Sequence, residues 1–154
     1  MNAERGRDVD VPDDVEETID LREPITVVIV DDEDRVRWVL RHQLEDGEPE
    51  IRVIDEGSDG HAAIALAAAE QPDILILDVD MPGLGGVDAL PAVKEACPHT
   101  RVIVLTGTGE RSRSAAMAAG ADAYLRKPTS LDELVGTVKQ LAPGDPSVDR
   151  QKKR

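Results

Sequence analysis

Five short aliphatic runs punctuate the chain, at residues 26–30, 51–54, 73–77, 102–105 and 123–125. The first, third and fourth are apolar almost throughout, the pattern of strands covered on both faces. The second, Ile51-Arg52-Val53-Ile54, alternates and reads as an edge strand. Between the runs the period lengthens to that of a helix. Val36, Leu40 and Leu44 recur at helical spacing, and residues 62–69 are Ala-rich around Ile64 and Leu66. Val87, Leu90 and Val93 follow a Gly-rich turn, and Pro91 reads as an interruption or a late helix start. Residues 115–119 form a short Ala-rich stretch. Leu131, Leu134, Val135, Val138 and Leu141 make the last amphipathic stripe, with Ser130 and Glu133 spaced as a capping box. Strict alternation of strand and helix implies right-handed βαβ units and a parallel sheet with helices on both faces.

Composition refines this picture. A hydrophobic share of 40% supports a core, but with one Trp, one Tyr and no Phe that core must be aliphatic. The net charge of −14 is unevenly spread. Residues 1–24 carry nine acids against three Arg and lack apolar periodicity, which reads as a disordered acidic tail. Residues 143–154 have a net charge of +2 and begin with Pro143, Gly144 and Pro146, which reads as a flexible basic tail. The stretch between, 25–142, retains −10 and is the expected domain. Such a charge disfavours generic binding to nucleic-acid phosphates or anionic membranes. A single Cys excludes a disulfide framework and a Cys-based zinc site. The polar start and the lack of a long apolar run point to the cytoplasm.

In parallel sheets of this kind, sites lie beyond the carboxyl ends of the strands. That rule selects Asp31-Asp32 after the first strand, Asp78 after the third, Thr106 after the fourth and Arg126-Lys127-Pro128 after the fifth. Taken singly, each has an ordinary reading as a helix cap, a turn residue or a solvated lysine. Taken together, three carboxylates at one mouth repel one another unless a cation compensates. An all-oxygen ligand set with open positions suits Mg2+, which also takes phosphate oxygens. Mg2+, Lys127 and Thr106 around one carboxylate make a site suited to carrying a phosphoryl group on it.

These residues resemble the receiver domain of bacterial two-component response regulators. The matching stretches are Val30-Asp31-Asp32-Glu33; Leu77-Asp78-Val79-Asp80-Met81-Pro82 with Gly86; Leu105-Thr106-Gly107; and Tyr124-Leu125-Arg126-Lys127-Pro128. The resemblance covers residues 25–142. It implies a flavodoxin-like doubly wound α/β fold, with a five-stranded parallel sheet in the order 2-1-3-4-5. It implies Asp78 as phosphoryl acceptor, Asp32 as direct Mg2+ ligand, Asp31 as support through water and the Asp80 backbone carbonyl as a further ligand. Lys127 would pair with the phosphoryl group, Thr106 would move to hydrogen-bond it, and Tyr124 would swing with Thr106. The Lys127–Pro128 bond would be cis. Asp80 and Thr108 occupy positions that tune dephosphorylation in the family.

The implied donor is a phosphohistidine on a sensor histidine kinase or a phosphotransfer protein. The implied output is a downstream protein meeting the face of the fourth helix, fifth strand and fifth helix, around Ala115, Met117, Ala118, Tyr124 and Arg126. A phosphorylation-dependent homodimer is compatible with the same resemblance, as is a receiver followed by a DNA-binding domain in a longer chain. No direct nucleic-acid or membrane binding by the chain itself is expected. The enzymatic rival is a haloacid-dehalogenase-type phosphatase with Asp32 as nucleophile, since Asp32-Glu33-Asp34 imitates its D-x-D motif. It leaves Asp78 unexplained. A flavin module is the other rival, but Asp31 and Asp32 would repel the flavin phosphate and aromatics are nearly absent. Elsewhere, Cys97 reads as a small buried hydrophobe, and His42, His61 and His99 lack ligand spacing. Trp38 lies off the Val36, Leu40, Leu44 face and reads as a surface or partner-facing residue.

Overall fold

The computed structural model describes residues 23–107 and 110–143. Most of the two expected tails, together with Thr108 and Gly109, lies outside the described residues. Strands and helices alternate in strict order. They are β1 (Ile25–Val30), α1 (Asp34–Gly47), β2 (Ile51–Gly57), α2 (Gly60–Glu70), β3 (Ile74–Leu77), α3 (Gly86–Ala96), β4 (Arg101–Thr106), α4 (Glu110–Ala119), β5 (Ala123–Arg126) and α5 (Leu131–Leu141). The strands form one parallel sheet in the order β2-β1-β3-β4-β5, so β2 is indeed an edge.

Successive strand residues point to opposite faces of the sheet, which explains why the central strands are apolar throughout. Val27, Ile29, Ile76, Ile103 and Leu105 face α1 and α5, where Leu40, Leu44, Leu134, Val135 and Val138 cover them. Val28, Val30, Leu75, Leu77 and Val104 face the other way, onto Ala63 and Ala67 of α2, Leu90 and Val93 of α3 and Ala116 of α4. Small alanines on α2 and α4 let those helices sit close to the branched strand residues. Cys97 belongs to this second layer and is fully buried. Its sulfur accepts a hydrogen bond from the Thr100 hydroxyl at 2.8 Å.

Local differences from the sequence pattern have identifiable causes. Pro91 neither stops nor delays α3, which runs through it from Gly86. Pro91 is on the exposed side of the helix, so the backbone rung it removes can be made good by water. β2 continues past Ile54 through Asp55, Glu56 and Gly57, because pairing with Val28, Ile29 and Val30 overrides the weak strand preference of those residues. The register shifts by one between Val27 and Val28 to admit Ile54 as an extra residue. α4 begins at Glu110, ahead of its Ala-rich segment. Only half of the expected capping box forms on α5. The Ser130 hydroxyl accepts from the Glu133 N–H at 3.0 Å, while the Glu133 carboxylate turns to the Thr129 hydroxyl at 2.9 Å.

Candidate functional site: an acidic mouth at the strand ends

Because every strand runs the same way, the carboxyl ends of β1, β3, β4 and β5 open on one edge of the sheet. Asp31 and Asp32 follow β1, and Asp78 follows β3 directly. The ladder extends one step beyond the regular strands and fixes both positions. The Asp31 N–H donates to the Gly57 carbonyl at 3.1 Å, and the Asp78 N–H donates to the Val30 carbonyl at 3.0 Å. A carboxylate oxygen from each of Asp31, Asp32 and Asp78 falls in a cluster whose members all lie within 4.8 Å of one another. Asp31 and Asp78 are buried, whereas Asp32 is exposed at the rim.

Lys127, just past β5, reaches back over this cluster. Its ammonium donates to Asp31 Oδ2 at 2.7 Å and stands 3.9 Å from Asp78 Oδ1. Its backbone N–H bonds the Thr106 carbonyl at 2.9 Å, and the Lys127–Pro128 peptide is cis. Asp31 Oδ1 accepts from the Glu33 N–H at 2.9 Å, so both oxygens of that carboxylate are engaged. Asp78 Oδ1 accepts from the Asp80 N–H at 3.2 Å. Thr106 is fully buried, and its hydroxyl donates to Asp80 Oδ2 at 3.1 Å. Tyr124 is half-buried on β5, opposite Val104 of β4, against the layer covered by α2, α3 and α4.

The electrostatics follow from this crowding. Burial first and the neighbouring Asp31 charge second raise the Asp78 pKa above the ordinary carboxylate range. The Asp80 N–H and the Lys127 charge offset that only in part. Burial alone would lower the Lys127 pKa. The hydrogen bond and charge of Asp31, with the charges of Asp78 and Glu33, outweigh burial and hold it above its ordinary value. Three carboxylates facing one ammonium leave an uncompensated negative charge. An all-oxygen donor set of this kind fits a hard divalent cation.

The backbone under Asp78 is packed so tightly that only glycine fits beside it. A Cβ at Gly86 would fall 2.3 Å from the Asp78 carbonyl oxygen, and one at Gly60 would fall 2.4 Å from that of Leu84. Thus α2 and the start of α3 clamp the β3–α3 turn from two sides. The sequence reading noted Gly86 but missed Gly60, whose constraint comes from a segment far along the chain.

The structure brings Asp31, Asp32, Asp78, Asp80, Thr106 and Lys127 together at one mouth. It leaves Asp34 out: that residue is exposed and paired with Arg37. The second carboxylate of a D-x-D phosphatase motif is therefore not in the cluster, and Asp78 takes that place. Trp38 is 61% exposed and stacks on His42 at 4.0 Å between ring centroids, which places both on the solvent side of α1. Arg37, which no sequence pattern singles out, meets the site through the backbone carbonyl of Asp31.

A five-stranded doubly wound α/β sheet with paired acids after β1, an Asp after β3, a Thr at the end of β4 and a Lys after β5 defines a class of protein with an acidic cluster next to a buried hydroxyl at the strand ends. Comparison with known proteins gives that class a family. A model of the response regulator receiver domain matches residues 27–139, and the chain belongs to that family. It is 33% identical over 125 residues to the nitrate/nitrite response regulator protein NarL of Escherichia coli, covering 80% of this chain and 57% of that protein. It is 35% identical over 117 residues to a protein-glutamate methylesterase/protein-glutamine glutaminase of Rhodospirillum centenum, covering 74% of this chain and 29% of that one. The chain thus spans between about a third and three-fifths of these relatives. Among solved structures, the signal receiver domain of NarL from Mycobacterium tuberculosis superposes with a TM-score of 0.74 at 31% identity, covering 80% of this chain and 100% of that one. The response regulator domain of Thermotoga maritima CheB gives 0.70 at 30% identity, with the same coverage. Among the described residues no helix is long and apolar enough to cross a membrane.

Proposed function

We propose that this chain is a phosphorylation-dependent signalling switch in which Asp78 accepts a phosphoryl group from a phosphohistidine on a sensor kinase or phosphotransfer protein. The observation that carries the reading is the Asp78 carboxylate, buried at the meeting point of Lys127 and the Asp31–Asp32 pair. In the transfer, a carboxylate oxygen of Asp78 bonds to phosphorus as the bond to the donor imidazole nitrogen breaks. In the return step, water adds to phosphorus, the acyl-phosphate P–O bond breaks, and inorganic phosphate leaves. Asp31, Asp32, Asp78 and the Asp80 backbone carbonyl are the groups suited to holding Mg2+, which when bound neutralises charge on the phosphoryl oxygens.

The remaining work belongs to the chain. Lys127 brings a fixed positive charge to the acceptor oxygen, and its raised pKa keeps it protonated throughout the neutral range. The Thr106 hydroxyl, now donated to Asp80, is the group that would turn to a phosphoryl oxygen. Tyr124 lies two residues before Arg126, the residue paired with Thr106, and carries that change toward α4 and α5. The domain is taken as 25–142, and a partner is expected on the face of α4, β5 and α5.

The test is chemical. The chain is incubated with Mg2+ and acetyl phosphate, and the product is reduced with borohydride, which converts an aspartyl phosphate to homoserine. Peptide mass spectrometry is expected to place the homoserine at position 78, with no label taken up by Asp78→Asn. Label that maps to position 32, or that survives Asp78→Asn, contradicts the assignment and revives the phosphatase reading.

A further inference from the structure

The two acids of the mouth sit on a very short link, since β1 ends at Val30 and α1 begins at Asp34. Nothing within the link caps the helix: Glu33 occupies the cap position without a side-chain hydrogen bond. The Asp31 N–H bond to Gly57 and the Glu33 N–H bond to Asp31 Oδ1 hold part of the link, and a guanidinium one turn into α1 adds a further tie. Arg37 Nη1 donates to the backbone carbonyl of Asp31 at 2.6 Å. Its Nε donates to Glu56 Oε1 at 3.2 Å, and its Nη2 pairs with the Asp34 carboxylate. Glu56, near the end of β2, is fixed in turn by Arg41 Nε at 2.5 Å. The Arg37 side chain is only 15% exposed. One planar fork thus ties the β1–α1 link to β2 and to the first turn of α1, a geometry that an ammonium cannot reproduce.

We propose that Arg37 is a positioning residue for the acidic mouth, holding the Asp31 backbone so that Asp31 and Asp32 present their carboxylates toward Asp78. The proposal rests on the reading of that mouth as a Mg2+ site and adds a residue that touches none of the reacting atoms. Two effects of removing Arg37 oppose each other. As a charge, Arg37 repels a cation nearby, so its loss should tighten Mg2+ binding. As a positioner it organises the ligands, so its loss should weaken binding, by about 10-fold or more if it behaves like other residues that orient metal ligands. The sign of the change separates the two roles. Arg41 supplies the control. It carries the same charge on the same helix and shares Glu56, yet its second contact is the Val53 carbonyl rather than that of Asp31.

The experiment is calorimetric titration of Mg2+ into the wild-type chain and into R37Q, R37K and R41Q, with thermal melts to confirm folding. R37Q is expected to weaken Mg2+ binding about 10-fold, R37K to weaken it less, and R41Q to stay close to wild type. Equal or tighter binding in R37Q overturns the proposal, and so does a loss in R41Q as large as that in R37Q. If R37Q does not fold, R37K decides: wild-type affinity there overturns the positioning role. If the wild-type chain itself takes up no Mg2+, the reading of the mouth fails with the proposal. Wild-type binding left unchanged by R37Q removes only the role of Arg37.

Discussion

Asp78 is the residue on which site and stability conflict. Burial and the adjacent Asp31 charge raise its pKa, so the native state holds its proton more tightly than the unfolded chain does. The sign of the linkage follows. The stability associated with this group is greatest at acid pH and is lost as pH rises from the ordinary carboxylate range through the raised value. Ionising this carboxylate in the absence of metal therefore works against the fold. Asp78→Asn keeps the shape and removes the charge. In metal-free buffer at pH 7 it should melt higher than wild type, by roughly 4 °C for each ~1 kcal/mol of relief. That advantage should shrink as pH is lowered, and adding Mg2+ should stabilise wild type more than the variant. Differential scanning calorimetry with and without Mg2+ checks this. A variant that melts lower than wild type at neutral pH in metal-free buffer contradicts it. The same residue was legible in the sequence only together with Asp31, Asp32, Thr106 and Lys127, because an acid after a strand taken singly also reads as a cap or turn residue.

At the scale of elements, strand ends were legible and the contacts between elements were not. A parallel sheet collects every carboxyl end on one edge, so naming the residues after β1, β3, β4 and β5 already named the mouth. No periodicity encodes that Arg37 meets Glu56, that Thr106 donates to Asp80, or that Gly60 passes under Leu84. Asp122 is a further case. Burial raises its pKa, but Lys94, the Val102 N–H and Arg101 outweigh that and hold its carboxyl below the ordinary range, fastening α3 and β4 to the turn before β5. Gly86 shows how such packing reaches the site. A methyl group there would press on the Asp78 carbonyl and must displace either α3 or the β3–α3 turn. Gly86→Ala is expected to destabilise the fold by about 1–3 kcal/mol, the usual cost of overpacking. It should also slow phosphorylation of Asp78 in the folded fraction. Gly83→Ala is the comparison: its positive φ makes alanine strained there, but nothing lies in the way of a Cβ. Urea unfolding together with the rate of acetyl phosphate labelling distinguishes the two, and Gly86→Ala labelling at the wild-type rate contradicts the link to Asp78.

Across the whole molecule the question is how a change at the mouth reaches a partner. The connection available is short. Thr106 ends β4 and pairs with Arg126 of β5, while Tyr124 pairs with Val104 and packs against the layer that includes α4. On α4 the exposed residues are Arg111, Arg113, Ser114, Ala115, Met117 and Ala118, and Arg126 is exposed at the end of β5. The small side chains of Ser114, Ala115 and Ala118 leave that part of the surface able to shift with little steric resistance. On the proposed reading, a phosphoryl group on Asp78 would compete with Asp80 for the Thr106 hydroxyl and so would bias an existing equilibrium rather than create a new state. Coupling of this sort typically amounts to about 1–3 kcal/mol, enough to change a partner's affinity by roughly 5- to 150-fold. Beryllofluoride with Mg2+ is a stable stand-in for the phosphoryl group. Its addition should move the amide resonances of Ala115, Met117, Ala118, Tyr124 and Arg126, and should leave those of the distant Lys139–Glu48–Glu50 cluster on α5 and the α1–β2 loop nearly unchanged. In Thr106→Val the mouth should still bind beryllofluoride, yet the shifts on α4 and β5 should be largely lost, because the hydroxyl that carries the signal is gone. Shifts confined to the mouth in the wild-type chain, or an α4–β5 response that persists undiminished in Thr106→Val, would place the output elsewhere.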